Sequence, residues 1–222
     1  MSAILLDIEG TVSDKRFVAE TLFPFARARI KAFVRDHARD GEVAASLSLM
    51  RAKLGRPDAS PEEIGAELER WIDADKKEEP LKSLQGLIWK EGYDSGELIS
   101  HIYADVPPAL ERWRQAGKRI AIFSSGSVSA QKLLFGNTKV GDLTPFFSGY
   151  FDLSTGPKFD AASYVKIAKA MDLAPNDIHF YSDAPREVEA ALAVGMIATL
   201  VERDGPIEAS PSCHRIQDFT SE

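Results

Sequence analysis

Polar side chains follow four separate apolar segments of this sequence, at or shortly after the point where each segment ends. They comprise carboxylates, hydroxyls and one lysine: Asp7, Glu9, Ser124, Ser125, Lys158, Ser182, Asp183 and Glu187. Each has an ordinary explanation when taken alone, because carboxylates and serines after a strand usually form turns or helix caps. The whole set is harder to explain in that way, since each segment is followed by a group that phosphate chemistry uses.

The two acidic residues nearest the amino terminus are suited to phosphoryl transfer. Asp7 can attack phosphorus and form an aspartyl-phosphate, which splits one difficult step into two easier ones. Glu9 lies two residues further on in a polar loop, where both side chains can face one pocket. There Glu9 would protonate the leaving oxygen and then deprotonate the attacking water. We therefore predict that Asp7 and Glu9 are the catalytic residues.

The serines and the lysine are suited to holding a phosphate group. Ser124 and Ser125 precede a predicted helix, and the free N–H groups and positive dipole end of a helix N-terminus bind anions. Lys158 would add a compact positive charge beside nucleophile and phosphate. We predict that Ser124, the first N–H groups of the helix and Lys158 bind the substrate phosphate.

The number of negative charges at these positions implies a metal ion. Unit charges about 4 Å apart repel by about 4 kcal/mol at an effective dielectric constant of about 20, and one lysine cannot neutralise several carboxylates and a phosphate. Carboxylate oxygens are ligands that Mg²⁺ prefers. We predict Mg²⁺ as the cofactor, with Asp7, Glu9 and Asp183 at the metal site; Glu9 would supply either its side chain or its backbone carbonyl. Glu187 is expected to orient the residues around the metal rather than to bind it.

Alternating strands and helices are predicted for the parts of the chain that carry these residues. Short apolar runs predict strands at 3–6, 119–123, 150–153, 178–181 and 196–201. Strands separated by single helices indicate an α/β fold with a doubly wound parallel sheet. In such sheets ligands bind beyond the carboxyl ends of the strands, which is where the polar set falls. The polar segment 202–222 is predicted to be irregular.

Residues 15–105 have a different pattern from the rest of the chain. Apolar residues recur there at helical spacing, and we predict no strand. Ser60 and Glu63 have the spacing of a capping box, which predicts the start of one of the helices. We therefore predict a discontinuous core of residues 1–14 and 106–222, interrupted by an all-α insert at 15–105.

The composition is that of a folded, acidic protein. The chain has 222 residues, of which 44% are hydrophobic, and a formal net charge of −7; this charge disfavours nucleic acid and anionic membranes as partners. Cys213 is the only cysteine, so no intrachain disulfide can form and a cytoplasmic location is expected. No apolar run approaches the ~18 residues of a membrane span, and no signal peptide is predicted.

The motifs resemble those of a known superfamily. Asp-Ile-Glu-Gly-Thr at 7–11, Ile-Phe-Ser-Ser at 122–125, Lys158 and Ser182-Asp183 resemble the four motifs of the haloacid dehalogenase superfamily, and the insert fits one of its helical caps. Longer segments resemble the enolase-phosphatase (acireductone synthase) family of methionine salvage: Leu-Phe-Pro-Phe at 22–25, Leu84 to Trp89 with Gly92 and Tyr93, Tyr103 to Val106, and Ser124 to Gly136. Most phosphatases of the superfamily have an aspartate where this chain has Glu9.

This resemblance implies a two-stage reaction on 2,3-diketo-5-methylthiopentyl-1-phosphate. Enolisation comes first and dephosphorylation then gives the acireductone, with Mg²⁺ as cofactor and a monomer as the usual state. By matching positions it implies a metal site and a substrate-binding site. The metal-site residues are Asp7, Glu9 and Asp183, and the substrate-binding residues are Ser124, Ser125 and Lys158. The enolisation base stays open between Glu9 and the insert residues Glu20 and Tyr93. The methylthio group needs an apolar wall, for which Phe23, Trp89 and Tyr93 are candidates.

Other functions are compatible with the general motifs. Another phosphatase of the superfamily would differ in its substrate, and a dehalogenase would release halide with little need for metal. A receiver-type signalling domain also gathers carboxylates, a hydroxyl and a lysine around a phospho-aspartate and Mg²⁺. The receiver is disfavoured because it has no use for the insert, and because Glu9 supplies the acid–base function that hastens hydrolysis.

The insert is expected to close over the substrate and to expel water. Closed and open forms should then differ by a rigid rotation at the connections near 14–16 and 104–107. An identical orientation of the insert with and without ligand would contradict this expectation.

Overall fold

The chain folds into two compact units. The structure is a computed structural model and describes residues 2–207 and 212–222. The sheet unit comprises Met1–Lys15 and Ser100–Glu222, and the helical unit comprises Arg16–Ile99. Within the described residues, no helix is both long enough and apolar enough to cross a membrane.

Strands and helices follow one another along the described part of the chain. The strands are β1 (Ala3–Leu6), β2 (Arg119–Phe123), β3 (Gly149–Phe151), β4 (Ile178–Ser182), β5 (Ile197–Val201) and β6 (His214–Ile216). The helices are α1 (Lys15–Phe17), α2 (Phe23–Asp36), α3 (Gly41–Leu54), α4 (Pro61–Asp73), α5 (Glu79–Asp94), α6 (Val106–Gln115), α7 (Val128–Gly136), α8 (Ala161–Ala170) and α9 (Pro185–Ala193). A π-helical turn at Val18–Leu22 joins α1 to α2.

The described residues of the sheet unit form one six-stranded sheet in the order β3-β2-β1-β4-β5-β6, and every pairing is parallel. This confirms the predicted doubly wound α/β fold. All four residues of β1 are buried at the centre of the sheet, which explains its unbroken apolar run. The strand order reverses between β1 and β4, and ligands bind in the crevice beyond the carboxyl ends of the strands at such a point.

Successive residues of a strand point to opposite faces of the sheet. Both faces of this sheet carry apolar side chains, and helices cover each of them. On one face, the ring of Tyr164 in α8 packs edge-on against Phe123 and Phe180, with 5.2 Å between the Tyr164 and Phe180 centroids. On the other face, Trp113 of α6 packs on Tyr181 with 5.6 Å between centroids. All five side chains are buried, so two layers of core fix the strands that carry the polar set.

The carboxyl-terminal segment differs from the sequence-based prediction. We predict an irregular segment at 202–222, and this prediction is wrong for part of it: β6 pairs in parallel with β5, and Phe219 is fully buried against Trp113 and Tyr181. A three-residue strand with largely exposed side chains gives no apolar pattern, and the burial of Phe219 depends on partners distant in sequence. Residues 208–211 lie outside the described residues.

The third strand is shorter than its apolar run predicts. It ends at Phe151 because Asp152 turns the chain. The Asp152 Oδ1 atom accepts hydrogen bonds from the main-chain N–H and the hydroxyl of Ser154, at 2.9 and 2.6 Å. This is the local pattern by which aspartate favours turns over strands.

Every regular element between residues 16 and 99 is helical, as the periodicity predicts. The predicted capping box is confirmed: Ser60 Oγ accepts a hydrogen bond from the Glu63 N–H at 3.2 Å, and the Glu63 carboxylate accepts one from the Ser60 N–H at 2.9 Å. Buried residues at helical spacing, including Leu47, Ile64 and Leu84, form a core of this unit alone. The role of the helical unit as a closing cap stays a prediction.

A buried neutral histidine is expected to make the sheet unit sensitive to acid. The ring of His179 on β4 is hydrogen-bonded to Thr199 Oγ1 at 2.7 Å and to the Tyr181 hydroxyl at 3.1 Å, and burial lowers the pKa of His179 from 6.5 to about 4. The stability that neutral His179 contributes is therefore fully present above its unfolded pKa and is lost as the pH falls toward its folded pKa.

As the pH falls from 6.5 to about 4, the free energy of unfolding should decrease by up to about 3 kcal/mol less in His179→Gln than in the wild type. Denaturant titrations at several pH values measure this, with His37→Gln in the helical unit as the control. Equally steep falls in the wild type and in His179→Gln would contradict the prediction.

Candidate active site

Asp7 lies directly after β1, where it is buried between a hydroxyl and an ammonium group. Its main-chain N–H donates to the carbonyl of Tyr181 on β4, 3.0 Å away. Its Oδ2 accepts a hydrogen bond from Thr11 Oγ1 at 2.9 Å, and its Oδ1 is paired with Lys158 Nζ. These contacts hold the carboxylate in one orientation at the carboxyl edge of the central strand.

The loop that follows Asp7 is a tight turn that requires a glycine. The carbonyl of Ile8 accepts hydrogen bonds from three successive main-chain N–H groups, beginning with that of Thr11 at 3.2 Å. Gly10 has a φ of +79°, in the left-handed region. A Cβ atom at Gly10 would lie 2.3 Å from Asp183 Oδ2, so the backbone of the loop passes close to the residue after β4.

Gly10→Ala is therefore expected to damage the site more than the fold. Gly117→Ala is the matched control, because Gly117 has a φ of +70° and a Cβ atom added there would meet no other atom within 4 Å. Backbone strain should cost each variant about 1–2 kcal/mol of unfolding free energy, but phosphate release should fall at least about tenfold in Gly10→Ala alone. Equal rates in the two variants would show that the close approach to Asp183 is unimportant.

Lys158 reaches the site from the segment before α8 and joins two carboxylates. Its Nζ is paired with Asp7 and, at 2.7 Å, with Glu187 Oε2, and its side chain is only 7% exposed. The Lys158 carbonyl accepts a hydrogen bond from the Tyr164 hydroxyl at 2.7 Å. Burial by itself would lower the pKa of the Lys158 ammonium, but the charges of Asp7 and Glu187 raise that pKa above its usual value. Lys158 is therefore a fixed positive charge beside Asp7.

Glu187 lies in the first turn of α9 and orients Lys158. Its Oε2 accepts a hydrogen bond from Ser182 Oγ at 2.8 Å and is paired with the lysine. Burial raises the pKa of Glu187 to about 7, and the charge of Asp7 contributes to the rise. The contact seen is with the lysine, and the role of Glu187 in orienting metal ligands stays a prediction.

Glu9 and Ser124 meet at the carboxyl ends of β1 and β2. Ser124 Oγ donates to Glu9 Oε2 over 3.4 Å and accepts a hydrogen bond from the Gly126 N–H at 3.1 Å. Burial raises the pKa of Glu9, and the charge of Asp7 raises it further, which favours a carboxyl that can carry a proton. Ser125 is exposed in the turn after β2. The structure thus brings Ser124 against Glu9, while the side chain of Ser125 faces solvent.

Asp183 lies directly after β4 and is tied to the loop that carries Asp7. Its N–H donates to Thr11 Oγ1 at 3.0 Å, and its carboxylate is paired with Lys15 Nζ. Burial and the charge of Asp7 raise the pKa of Asp183, and Lys15 opposes that rise. Sequence reasoning does not single out Thr11 or Lys15. The available signals are that Thr11 shares the loop of Asp7 and that Lys15 is the first basic residue after it.

Gln131 is another residue that sequence reasoning does not single out. Its side chain is buried, and its Nε2 donates to the carbonyls of Gly126 and Phe151 at 2.8 and 2.9 Å. The Ser124 N–H donates to the same Phe151 carbonyl at 3.1 Å. Gln131 therefore ties the turn after β2 to the end of β3. The signal for it is an amide side chain within the helix that follows the serine-rich turn.

The carboxylates of the site suit a magnesium ion without forming a closed cage. Among residues 2–207 and 212–222, no three His, Cys, Asp or Glu side chains form a ready-made metal cluster. Mg²⁺ usually takes one or two carboxylates, and water and phosphate oxygens complete its shell. The site brings four carboxylates, those of Asp7, Glu9, Asp183 and Glu187, together with two lysines, Lys15 and Lys158. Asp7, Asp183 and either the side chain or the carbonyl of Glu9 are therefore a fitting donor set.

The remaining predicted residues lie in the helical unit. The rings of Phe23 and Trp89 have centroids 6.2 Å apart, and Trp89 Nε1 donates to the Leu22 carbonyl at 2.8 Å. Tyr93 is buried in α5, whereas Glu20 is exposed on the π-helical turn. Their assignment to the substrate wall or to enolisation stays a prediction.

Comparison with known proteins shows which family this chain belongs to. The family model for haloacid dehalogenase-like hydrolases matches residues 1–195, and the chain belongs to this family of hydrolases. Within it, the chain belongs to the enolase-phosphatases. Proteins named Enolase-phosphatase E1 are 49% identical over 205 residues in Pseudomonas syringae pv. syringae and 50% identical over 208 residues in Methylococcus capsulatus. These matches cover 92% and 94% of this chain and 90% and 92% of the relatives.

Solved structures agree with this membership. The UTR4 protein of Saccharomyces cerevisiae has a TM-score of 0.85 and 33% identity, over 100% of this chain and 99% of that chain. A dehalogenase structure has a TM-score of 0.60 at 17% identity, which shows the fold alone. The predicted superfamily and the predicted enzyme class are confirmed, and the receiver-type alternative is set aside.

Proposed function

We propose that this protein is a Mg²⁺-dependent enolase-phosphatase that converts 2,3-diketo-5-methylthiopentyl-1-phosphate to the acireductone of methionine salvage. The name Enolase-phosphatase E1 of the relatives supports the two activities, and the resemblance of the sequence motifs supports the substrate. The observation that carries the chemistry is the position of Asp7, which is buried after the central strand, held by Thr11 and Lys158, and followed by a protonatable Glu9.

In the phosphatase half-reaction, Asp7 is the nucleophile. One of its oxygens forms a bond to phosphorus while the bond from phosphorus to the enol oxygen breaks, and Glu9 gives its proton to that leaving oxygen. Glu9 then takes a proton from water, which attacks phosphorus, releases inorganic phosphate and restores the Asp7 carboxylate. Lys158 neutralises charge on the phosphate, and Ser124 donates to one of its oxygens.

The proposed cofactor is Mg²⁺, which Asp7, Asp183 and either the side chain or the backbone carbonyl of Glu9 would hold. When bound, it supplies positive charge that lets an anionic substrate approach several carboxylates. The Thr11 hydroxyl fixes the positions of Asp7 and Asp183 relative to each other, because it donates to the Asp7 carboxylate and accepts a hydrogen bond from the Asp183 N–H. In this structure the ammonium group of Lys15 is paired with the Asp183 carboxylate.

Enolisation requires a base that takes a proton from the carbon next to a carbonyl. Glu9 is a candidate because it lies two residues after Asp7 and is hydrogen-bonded to Ser124. Glu20 and Tyr93 are the candidates in the helical unit. Substitutions Glu9→Gln, Glu20→Gln and Tyr93→Phe separate them. The variant that loses the enol signal identifies the enolisation base. A variant that keeps the enol signal but loses phosphate release is defective in the second step.

The proposal also includes a monomer in the cytoplasm that acts on a small phosphorylated diketone. The single cysteine of the chain is compatible with a reducing compartment. The acidic net charge is unfavourable for nucleic acid. Sedimentation of the purified protein tests the monomer, and cell fractionation tests the location.

The proposed reaction is tested by supplying the diketone phosphate and following enol absorbance and inorganic phosphate together. We expect a transient enol signal that precedes phosphate release, and loss of phosphate release when the protein is treated with a chelator. Phosphate release from generic esters, without any enol signal from the diketone, would favour another phosphatase of the family. Halide release from a haloacid that survives the chelator would favour a dehalogenase.

A further inference from the structure

The guanidinium of Arg203 lies where three segments of the sheet unit meet. Its Nε donates to the carbonyl of Thr11 at 3.0 Å, and its Nη1 is paired with Asp105 at 2.9 Å. The guanidinium carbon lies 4.2 Å from the ring centroid of Tyr103 and 5.0 Å from that of Phe219. Only 8% of the side chain is exposed. Arg203 is therefore a built-in connection between the loop after β1, the start of α6 and the carboxyl-terminal segment.

Thr11 carries this connection to the reacting groups. Its side chain donates to Asp7 Oδ2 at 2.9 Å and accepts from the Asp183 N–H at 3.0 Å, while its carbonyl accepts from Arg203. Thr11 is completely buried, so it has little room to move without losing one of these bonds. A displacement of the Thr11 carbonyl would therefore also displace the hydroxyl that orients Asp7.

The carboxyl-terminal segment holds Arg203 in this position. Asp105 Oδ2 accepts a hydrogen bond from the Phe219 N–H at 2.7 Å, in addition to its ion pair with Arg203. Arg112 donates to the carbonyls of Phe219 and Glu222. The match to the hydrolase family ends at residue 195, so Arg203 and Phe219 both lie beyond the part of the chain that this match covers.

We infer that Arg203 is a positioning residue for the phosphatase reaction: it fixes the Thr11 carbonyl and thereby the orientation of the Asp7 carboxylate. This inference rests on the proposed role of Asp7 as nucleophile. A planar fork with fixed donor directions can hold one carbonyl and one carboxylate at the same time, which a lysine ammonium at the end of a flexible stem does less well. The carboxyl-terminal segment thus acts on the active site through a residue that touches neither phosphate nor metal ligand.

The test compares Arg203→Lys with Arg119→Lys. Arg119 at the start of β2 also donates to a main-chain carbonyl, that of Met171, but it lies at the opposite end of the parallel strands from the site. Phosphate release is measured with the diketone phosphate and with a generic aryl phosphate, and each variant is also melted. For Arg203→Lys we expect kcat to fall about 10- to 100-fold with KM changed less than about threefold, because a misplaced nucleophile slows the chemical step. Arg119→Lys should keep the wild-type kcat.

A double-mutant cycle with Thr11→Val separates positioning from a general structural role. If Arg203 acts through Thr11, Arg203→Lys should lower kcat less than about twofold once the hydroxyl is absent. A structural defect would instead lower kcat by the same factor in both backgrounds. Asp105→Asn, which weakens the anchor of the guanidinium without altering Arg203, should lower kcat in the same direction and gives a second reading if Arg203→Lys folds poorly.

The outcomes distinguish the two proposals. Wild-type kcat in Arg203→Lys, a fall equal to that of Arg119→Lys, or full additivity with Thr11→Val would each overturn the positioning role. Release from the aryl phosphate alone would overturn the proposed substrate and leave the Arg203 comparison intact. Activity that persists in Asp7→Asn would overturn the nucleophile and the positioning role together.

Discussion

Asp7→Asn is expected to abolish phosphate release in the presence of Mg²⁺. The amide has nearly the shape of the carboxylate. Its oxygen can accept a hydrogen bond from Lys158 and its NH₂ group can donate to the Thr11 hydroxyl, so the loop should keep its conformation. It cannot form an aspartyl-phosphate, and removal of a nucleophile typically costs on the order of 10⁴-fold or more in kcat. Initial rates of phosphate release measure the effect.

Asp58→Asn is the control for this substitution. Asp58 is exposed in the helical unit, so its change should leave the rate as it is. Asp58→Asn should keep the wild-type melting temperature. Circular dichroism should show that Asp7→Asn is folded, although Lys158 has lost one of its two charged partners. Phosphate release by Asp7→Asn at a rate near that of the wild type, with intact mass spectrometry confirming that the amide has not hydrolysed, would refute the assignment of Asp7.

Lys158→Met is expected to have the second largest effect, and it should act on both stability and rate. The substitution leaves the Asp7 and Glu187 carboxylates buried without their shared positive charge. Breaking a buried ion pair from one side usually costs about 3–5 kcal/mol of unfolding free energy. Loss of one charge that stabilises the transferred phosphoryl group should lower kcat by about 10²- to 10³-fold.

Two measurements test the lysine prediction. Denaturant titration without divalent cation gives the unfolding free energy, and phosphate release with saturating Mg²⁺ gives kcat. Lys169→Met is the control, since Lys169 is exposed in the last turn of α8. Unchanged stability together with an unchanged kcat in Lys158→Met would mean that the contacts of Lys158 with the two carboxylates do not contribute to either property.

The sheet and the positions of most site residues could be predicted because their signals are local. A parallel strand buried on both faces needs an unbroken apolar run, as in residues 3–6. The polar residues directly after such a run fall at the carboxyl edge, which places Asp7, Ser182 and Asp183 without any knowledge of tertiary contacts. The capping box of Ser60 and Glu63 is equally local, because its donors and acceptors lie within one helical turn.

The strand β6 and the burial of Phe219 near the carboxyl terminus could not be predicted from local patterns. The strand β6 is short and mostly exposed, and it exists because β5 offers it a free edge. Phe219 is flanked by polar residues, and its burial depends on Trp113 and Tyr181, which precede it by more than 30 residues. A pattern in the sequence reports what one element needs, but it does not report which distant surface accepts it.

The sequence alone therefore determined the α/β architecture, the helical insert and the chemical types of the candidate site residues. Only the tertiary structure decided how those groups are held: that Lys158 is shared between Asp7 and Glu187, that one Thr11 hydroxyl joins Asp7 to Asp183, and that Arg203 supports the same loop. The physical reason is that periodicity and capping act over a few residues. Hydrogen bonds and ion pairs between buried groups depend on which strand ends the chain crossings bring together.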